Sequence, residues 1–392
     1  MLLSFDDSDL GPACEALDAW AARLDERILS RRWQGRLRRA LEAEAVAAST
    51  SMEGVPVTVA DTLKILAGDR PEPVSVADAA LVSGYHDAMT YVQRRADDGN
   101  LQWNRELIVG VQDRVLAGNL ASGAGRLRDG AAWIRNDATG TVVFEPPPAE
   151  LVPGLVDEIC DVLAASRLHP ALQAAWLHVA LAAVHPFKDG NGRSARVLAS
   201  LRMYRGGFRH PAFTSLEEWW GRHAQSYYQA FDCLGDRFEP AADVTTFVKT
   251  HIGAQLGQVR ILALRQRTEG ELYTTLENVL TDHGLPDRLA NALYDSFFGR
   301  DITTAYYRDL IALSQATARN DLTSATAAGL LAAQGQTRGR HYLPGPRLHT
   351  LLARSLSPSL EPNPAAILAE FARRAADDLT DPEPRQPTLP GF

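Results

Sequence analysis

A twelve-residue segment at 185–196 constrains this chain more than any other part of its sequence. It begins where an apolar helix predicted over Leu172–Val184 ends, and a second helix is predicted over Ser194–Tyr204. Pro186 cannot continue the first helix and disfavours helical backbone at His185. Two glycines in the segment allow sharp turns, so successive N–H groups can converge with the amides that open the next helix. The pattern predicts a phosphate-binding loop between two helices. The segment is His185-Pro186-Phe187-Lys188-Asp189-Gly190-Asn191-Gly192-Arg193-Ser194-Ala195-Arg196.

The side chains of this segment supply chemistry that a phosphate loop lacks. Asp189 offers a hard oxygen for Mg²⁺, which usually binds through one or two carboxylates and substrate phosphates. Arg193 and Arg196 lie three positions apart on the first helical turn, so both can face one polyphosphate. His185, with an ordinary pKa of ~6.5, can accept a proton from an attacking hydroxyl near neutral pH. A base, a metal ligand, an anion nest and an arginine pair are the parts that phosphoryl-type transfer needs.

The segment resembles the Fic family pattern His-x-Phe-x-Asp/Glu-Gly-Asn-Gly-Arg-x-x-Arg and matches it at every fixed position. This resemblance implies a Fic-type helical core in which His185 is the general base and Asp189 holds Mg²⁺. It also implies that Arg193 and Arg196 contact the β- and γ-phosphates of ATP. The loop residues that it implies for phosphate binding are Gly190, Asn191 and Gly192.

The intact Gly-Asn-Gly-Arg run is similar to that of the AMP-transferring branch of the family. The related Doc kinases carry a lysine where Gly192 stands. The resemblance therefore implies transfer of AMP from ATP to Tyr, Thr or Ser hydroxyls of target proteins, this chain included.

A second motif lies far upstream, at the end of a helical region predicted to begin near Leu24. Gly54 stands in the usual position for ending a helix. Because a glutamate near a helix C-terminus opposes the helix dipole, Glu53 is either a solvated acid or has a partner elsewhere. The run from Ser49 to Gly54 resembles the Ser/Thr-x-x-x-Glu-Gly/Asn inhibitory motif of Fic proteins. The resemblance implies that Glu53 occupies Arg196 and lowers basal activity by about tenfold to a hundredfold.

The helical pattern is interrupted between Ala131 and Glu145. Two short β-prone runs flank an Asn/Asp/Gly turn, which predicts a hairpin, and three prolines at 146–148 end it. An exposed strand can align an extended substrate segment by β-augmentation; the alternative is a hairpin that only covers the core. The segment resembles the flap of Fic proteins, and Ile134 and Val142 are the candidates for clamping the target residue.

We expect a mainly α-helical protein of more than one domain. Further predicted helices are Leu24–Glu44, Trp219–Leu234 and Val244–Gln266. Tyr227 and Tyr228 lie in a helix similar to the late core helix of Fic proteins, where they are either packing residues or nucleotide contacts. Four domains are predicted. Residues 1–100 form an N-terminal helical region that carries the inhibitory motif, and residues 101–253 form a Fic core. Linker helices with a winged helix-turn-helix follow at 254–355, and the last domain is a partly disordered tail at 356–392, with disorder expected at 380–392.

The third of these domains has its own signature. Its sequence predicts a helix at 304–313, a tight turn, a helix at 316–333 and a Gly/Arg-rich run at 335–343. This order resembles a winged helix-turn-helix, a module that can lay its second helix in the major groove of DNA. Seven arginines stand against three acidic residues between 300 and 354. Because the second helix is rich in Ala, Thr and Ser, docking or self-association remains the alternative to DNA binding. The candidate contacts are Arg319 for bases, and Arg338 and Arg340 for phosphates.

Composition excludes some functions for the chain as a whole. A net charge of −8 over 392 residues argues against non-specific nucleic-acid binding by the whole chain. The acidic first thirty residues lack the pattern of a secretory signal, and the longest apolar stretches are too short to span a bilayer. Three widely spaced cysteines fit a reducing compartment and offer no disulfide framework. We therefore expect a cytoplasmic protein without a membrane partner.

These observations favour an autoinhibited protein adenylyltransferase that uses ATP and Mg²⁺. Two alternatives stay open. The same site could remove AMP from a modified protein, with Glu53 orienting water, or the chain could be a DNA-binding regulator whose Fic core senses nucleotide. A homodimer is also left open by the sequence.

Overall fold

The computed structural model describes residues 2–25, 31–136, 139–209, 216–336, 339–377 and 379, with backbone only at 25 and 31–39. Helices dominate this described part, and strands are few and short, so the prediction of a mainly α fold is confirmed. The helices are α1 (Gly11–Asp25), α2 (Arg31–Ser51), α3 (Val59–Leu66), α4 (Val76–Ala96), α5 (Arg105–Val115), α6 (Val152–Ala165), α7 (Pro170–Val184), α8 (Asn191–Arg205), α9 (Leu216–Arg222), α10 (Ala224–Gln229), α11 (Thr245–Asp282), α12 (Ala290–Phe297), α13 (Thr304–Leu310), α14 (Gln315–Ala327), α15 (Leu348–Leu356) and α16 (Pro364–Asp377). The strands are β1 (Ile134–Arg135), β2 (Val142–Phe144), β3 (Leu331–Gln334) and β4 (His341–Pro344). No helix of the described residues is long and apolar enough to cross a membrane.

The described residues form two compact units. The first contains most of the residues up to Arg260, and the second contains those from Ile261 onward. The boundary falls inside α11, seven residues after the predicted limit of the core at 253. In the first unit α7 and α8 pack along each other, and α8 also packs on α4 and α5. Nearly every residue of α7 is buried, because its side chains are apolar or small on almost every face. Most of α8 is buried as well, including the polar side chains of Asn191, Arg193 and Arg196.

The start of α7 is fixed by its own sequence. Pro170 occupies the first turn, where its missing N–H costs nothing, and the His169 ring accepts the Ala171 N–H at 3.2 Å. The predicted helix Leu172–Val184 is therefore confirmed, two residues longer at its beginning.

Other predicted helices need correction. The single helix expected over Trp219–Leu234 is wrong, because the chain breaks at His223 into α9 and α10 and continues as a 3₁₀ turn over Ala230–Leu234. The helix expected to begin at Ser194 begins earlier, at Asn191. The helix predicted over Val244–Gln266 is the first part of the much longer α11. Of the helix predicted over Leu24–Glu44, residues 26–30 lie outside the described part.

The predicted hairpin is present. β1 and β2 pair antiparallel with a bulge between Ile134 and Arg135. Residues 137 and 138 of the predicted turn lie outside the described residues. After β2, Glu145 forms a bridge with Arg237, which fixes the end of the hairpin on the first unit.

In the second unit, α13 and α14 are joined by a tight turn and followed by the antiparallel pair β3–β4. This is the order of elements in a winged helix. The helix predicted over 316–333 is wrong at its end: α14 stops at Ala327, Gly329 adopts a left-handed φ of 73°, and β3 begins at Leu331. Asp321 of α14 is buried and accepts two hydrogen bonds from Arg288, at 2.7 and 2.8 Å.

The predicted tail at 356–392 contains α16, which the sequence analysis did not identify as a helix. Ile367, Phe371 and Ala375 form its buried face. The disorder expected at 380–392 lies outside the described residues.

Candidate active site

The histidine of the motif stands where α7 ends. His185 takes a left-handed backbone conformation, with φ 48° and ψ 59°. Its N–H still closes the last helical turn on the Leu181 carbonyl at 2.9 Å. Because left-handed backbone is unfavourable for a residue with a Cβ atom, this turn needs support from the surrounding structure.

The loop that follows is closed by one side chain. Asn191 accepts the Phe187 N–H at 2.9 Å and donates to the Phe187 carbonyl at 2.8 Å. Gly190 provides the left-handed turn, φ 82°, from which α8 starts. Asn191 was predicted to bind phosphate, which stays a prediction. Its side-chain amide is engaged within the loop, so its backbone N–H is the group that it can offer to an anion.

Two buried side chains that the sequence analysis did not propose support this loop from outside. Gln112 of α5 donates to the Asp189 carbonyl at 3.0 Å and accepts the Gly125 N–H at 2.8 Å. Arg128 donates to the His185 carbonyl at 2.8 Å. The available signal for Arg128 was the run Gly125-Arg126-Leu127-Arg128, which lies just before the predicted hairpin.

Arg193 combines a salt bridge with unused donors. Its Nη2 contacts the Asp189 carboxylate at 3.0 Å, while its buried Nε and Nη1 have no partner among the described residues. Buried donors of this kind normally have an acceptor. The Asp189 side chain is 47% exposed. No group of three or more His, Cys, Asp or Glu side chains in the described part could hold a metal ion by itself.

Arg196 is buried and held from several sides. Its Nη2 donates to the Glu53 carboxylate at 2.8 Å and to the Ser49 carbonyl at 3.2 Å. Its Nε donates to the Ser49 hydroxyl at 3.0 Å, and its Nη1 to the Tyr227 hydroxyl at 3.4 Å. The predicted pair of Glu53 with Arg196 is therefore formed in this structure.

Glu53 lies directly on the loop. A Cβ atom added to Gly192 would lie 2.6 Å from the Glu53 Oε1. Burial by itself raises the pKa of Glu53, but Arg196 and Arg193 outweigh it, so that the pKa lies below its ordinary value. Gly54 has a left-handed φ of 80°, which ends the helical region after α2. Glu53 is therefore an ionised side chain that packs against Gly192 of the loop.

Burial lowers the pKa of His185 to about 4. Arg128 contributes to the lowering, whereas the Ala182 carbonyl, Glu53 and Asp189 oppose it. At neutral pH the imidazole is therefore uncharged and can accept a proton.

The two tyrosines have different surroundings. Tyr227 is buried against Trp220 and Ala254, and its hydroxyl also lies 3.2 Å from the His178 Nε2. Tyr228 is 56% exposed. Tyr227 therefore supports the Arg196 guanidinium from inside the core.

The hairpin presents apolar side chains to solvent. Val142 is 45% exposed and is joined by the exposed Trp133 and Val143, whereas Ile134 is half-buried.

The residues predicted to contact DNA or a partner protein belong to the second unit, whereas the loop at 185–196 belongs to the first. Arg319 is exposed on α14, and Arg340 lies over the Tyr342 ring at 5.5 Å. Arg338 lies outside the described residues.

The fold and the site together define a class: a helical domain whose central helix pair, α7 and α8, is joined by a glycine-containing loop with a histidine at its start. Residues 101–203 match the model of the Fic/DOC family. The chain therefore contains a Fic domain.

Curated relatives carry adenylyltransferase names. The chain is 29% identical over 164 residues to protein adenylyltransferase Fic of Nematostella vectensis, covering 41% of this chain and 37% of that protein. It is 36% identical over 104 residues to protein adenylyltransferase fic-1 of Caenorhabditis elegans, covering 26% of this chain and 19% of that protein. The chain thus spans well under half the length of these relatives.

Solved structures share the fold. A Fic family protein from Desulfovibrio desulfuricans G20 superposes with a TM-score of 0.55 at 21% identity, covering 88% of this chain and 99% of that one. Fic-1 of C. elegans (residues 134–508) gives a TM-score of 0.52 at 22% identity, covering 64% and 70% respectively. This is the fold expected from the sequence.

Proposed function

We propose that this protein transfers AMP from ATP to hydroxyl groups of protein side chains and that Glu53 inhibits the reaction in cis. The observation that carries the proposal is the arginine pair of the loop. Two buried donors of Arg193 have no partner in the part of the chain that the structure describes, and the donors of Arg196 are held by Glu53 and by the end of α2. Protein adenylyltransferases are among the relatives, which supports this chemistry over phosphate transfer.

The proposed reaction is an in-line displacement at the α-phosphorus. The neutral His185 imidazole takes the proton of the target hydroxyl, whose oxygen forms a new bond to the α-phosphorus. The bond from that phosphorus to the α,β-bridging oxygen breaks, and pyrophosphate leaves. Arg193 and Arg196 stabilise the charge on the β- and γ-phosphates, and the loop N–H groups before α8 bind the α-phosphate.

Asp189 is the proposed ligand for Mg²⁺. Its carboxylate is about half exposed, and the chain offers no closed set of ligands in the described residues. This suits an ion that prefers one or two carboxylates and completes its shell with phosphates and water. When bound, the ion would neutralise part of the phosphate charge.

The inhibition follows from competition for Arg196. The charge-assisted hydrogen bond from Arg196 to the Glu53 carboxylate contributes about 1.5–3 kcal/mol to the stability of this pair. ATP must replace that contact before its γ-phosphate can reach the arginine. The triphosphate is otherwise held with its α-phosphorus out of line for attack.

The target segment is proposed to bind along the hairpin. The exposed Val142, Val143 and Trp133 offer apolar contacts, and the strand β2 offers backbone groups for an extended segment.

The test follows label from α-labelled ATP into protein with Mg²⁺, comparing wild type, Glu53→Gly and Glu53→Gly/His185→Ala. We expect little label on wild type, strong labelling by the single mutant, and loss of it in the double mutant. Parallel reactions with GTP, CTP and UTP identify the nucleotide. A folded Glu53→Gly protein that labels neither itself nor any added protein would contradict AMP transfer, and equal labelling by the double mutant would exclude His185 as base.

Removal of AMP is the second candidate, because an ionised Glu53 lies against the loop where it could orient water. A protein labelled with AMP by the Glu53→Gly variant is the substrate for its test. Release of label by wild type but not by Glu53→Gly would favour removal.

For the second unit we propose docking or self-association rather than DNA reading. The described helix α14 carries one basic residue, Arg319, and its Asp321 is buried in a pair with Arg288. The helix that would enter the DNA groove therefore offers a single outward cation for phosphate binding. Light scattering tests self-association. Salt-dependent DNA binding that is lost in Arg319→Ala/Arg340→Ala would overturn the proposal and support the DNA-binding regulator.

A further inference from the structure

We propose that Arg128 is a positioning residue for this reaction: it fixes the backbone of His185 and the two ends of the hairpin relative to one another. The inference rests on the proposed function, since Arg128 would set the distance between His185, the proposed base, and the target hydroxyl. Arg128 does not contact the reacting atoms and was not among the predicted site residues.

The first part of the evidence is where the guanidinium donates. Its Nε donates to the His185 carbonyl at 2.8 Å, and its Nη2 lies 3.4 Å from the Val184 carbonyl. The Arg128 N–H donates to the Pro186 carbonyl at 2.9 Å. Arg128 thus binds three successive carbonyls at the point where α7 ends and the loop begins.

The same side chain also binds both ends of the hairpin segment. Nη1 donates to the Gly130 carbonyl at 2.9 Å, just before the hairpin, and Nη2 to the Pro147 carbonyl at 2.5 Å, just after it. One rigid group therefore joins the backbone of the base to the backbone on either side of the proposed docking strand.

Physical chemistry explains why an arginine is needed there. Carbonyls at the end of a helix lack intrahelical partners, and the left-handed backbone of His185 is unfavourable unless surrounding contacts hold it. Arginine offers five donors in one plane, whereas lysine offers three on a single nitrogen. Arg128 is only 8% exposed, so solvent would not replace its hydrogen bonds.

The test uses full-length protein in the Glu53→Gly background, with Arg128→Met, Arg128→Lys and Arg126→Met. Arg126 is exposed two positions away, and no side-chain contact to the site is found for it in the structure, so it is the matched control. Because small displacements of a base are costly, we expect Arg128→Met to lower kcat by about 100-fold. The Kd for ATP should change less than about threefold, since phosphate binding uses other residues. Arg128→Lys should recover part of kcat, and Arg126→Met should match its parent.

Three results would overturn the inference. The first is an Arg128→Met protein with unchanged kcat. The second is a loss in kcat that is matched by the loss in ATP affinity and in folded protein. The third is an Arg128→Lys protein no better than Arg128→Met. If the Glu53→Gly parent itself transfers no AMP, the proposed function fails instead. A crystal structure of Arg128→Met then decides the inference: His185 leaving its left-handed conformation supports it, and unchanged backbone at 184–186 overturns it.

Discussion

The carboxylate of Glu53 accepts a 2.8 Å hydrogen bond from the guanidinium of Arg196, 143 positions later in the chain. Both side chains are largely withdrawn from solvent, at 26% and 3% exposure. Their contact is therefore less screened than a surface ion pair. It joins the segment after α2 to the second turn of α8. In the proposed mechanism, the strength of this contact determines how readily ATP can bind Arg196.

Removal of the charge alone should release the inhibition in part. Glu53→Gln keeps an oxygen acceptor at similar reach but loses the ionic part of the contact, about half of its strength. We expect AMP transfer by Glu53→Gln to lie between wild type and Glu53→Gly, the latter rising by about tenfold to a hundredfold. Initial rates with α-labelled ATP measure this order. Equal rates for Glu53→Gln and wild type would mean that shape, and not charge, holds the arginine.

Ser49 should contribute to the inhibition through its hydroxyl. Ser49→Ala removes the acceptor for the Arg196 Nε but keeps the Ser49 carbonyl, which Nη2 still contacts. The loss of one such hydrogen bond, about 1 kcal/mol, should raise basal transfer by about threefold to tenfold. Thr50→Ala is the matched control, since the Thr50 hydroxyl bonds only to the carbonyls of Val46 and Ala47 in its own helix. Equal effects of the two variants would point to loosening of α2 in general.

The parts of the site that could be predicted from sequence are those carried by neighbours in the chain. The turn between His185 and Arg196 is signalled by the proline and glycines of that segment, and the hairpin by its own β-prone runs and turn residues. The pair of Glu53 with Arg196 was within reach because a second motif resembles a known inhibitory one. Without that resemblance, Glu53 would have been interpreted as a solvated acidic residue at the end of a helix.

Arg128 and Gln112 were missed for a physical reason. Their partners are backbone carbonyls and amides of distant segments, such as the His185 carbonyl 57 positions away, and a sequence does not show which carbonyls lack donors. The break between α9 and α10 at His223 was missed because the local pattern stays helical on both sides of it. The contact of the Asn191 side chain with Phe187, only four residues away, was also missed.

The pH dependence should reveal the buried base. Because burial lowers the pKa of His185 to about 4, the base stays neutral as pH falls from 8 to 6 and becomes protonated only in stronger acid. Removing Glu53, which opposes the lowering, shifts the pKa further down. We expect kcat/KM of Glu53→Gly at pH 6 to stay close to its value at pH 7.5, whereas a histidine with pKa ~6.5 would leave about a quarter. The measurement is kcat/KM for MgATP, which reports groups of the free protein, and a midpoint near 6.5 would contradict the prediction.

Asn191 should act through loop closure. Asn191→Ala leaves the N–H and carbonyl of Phe187 without their partners, which should destabilise the protein by about 1–3 kcal/mol. In the Glu53→Gly background we expect kcat to fall by more than about tenfold, because the loop no longer holds His185 and α8 together. Steady-state kinetics separate this from a direct role. A raised KM for ATP with unchanged kcat and melting temperature would mean that the amide binds phosphate.

Tyr227 should support Arg196 without contacting nucleotide. Its hydroxyl lies between the Arg196 Nη1 and the His178 Nε2, inside the cluster with Trp220 and Ala254. Tyr227→Phe should therefore lower stability by about 1–2 kcal/mol, read as a drop in Tm, while the Kd for ATP in the Glu53→Gly background changes less than about threefold. Tyr228→Phe, at an exposed position, should leave Tm unchanged. Weaker ATP binding by Tyr227→Phe at an unchanged Tm would place its hydroxyl at the nucleotide, and the buried cluster would then have to open when ATP binds.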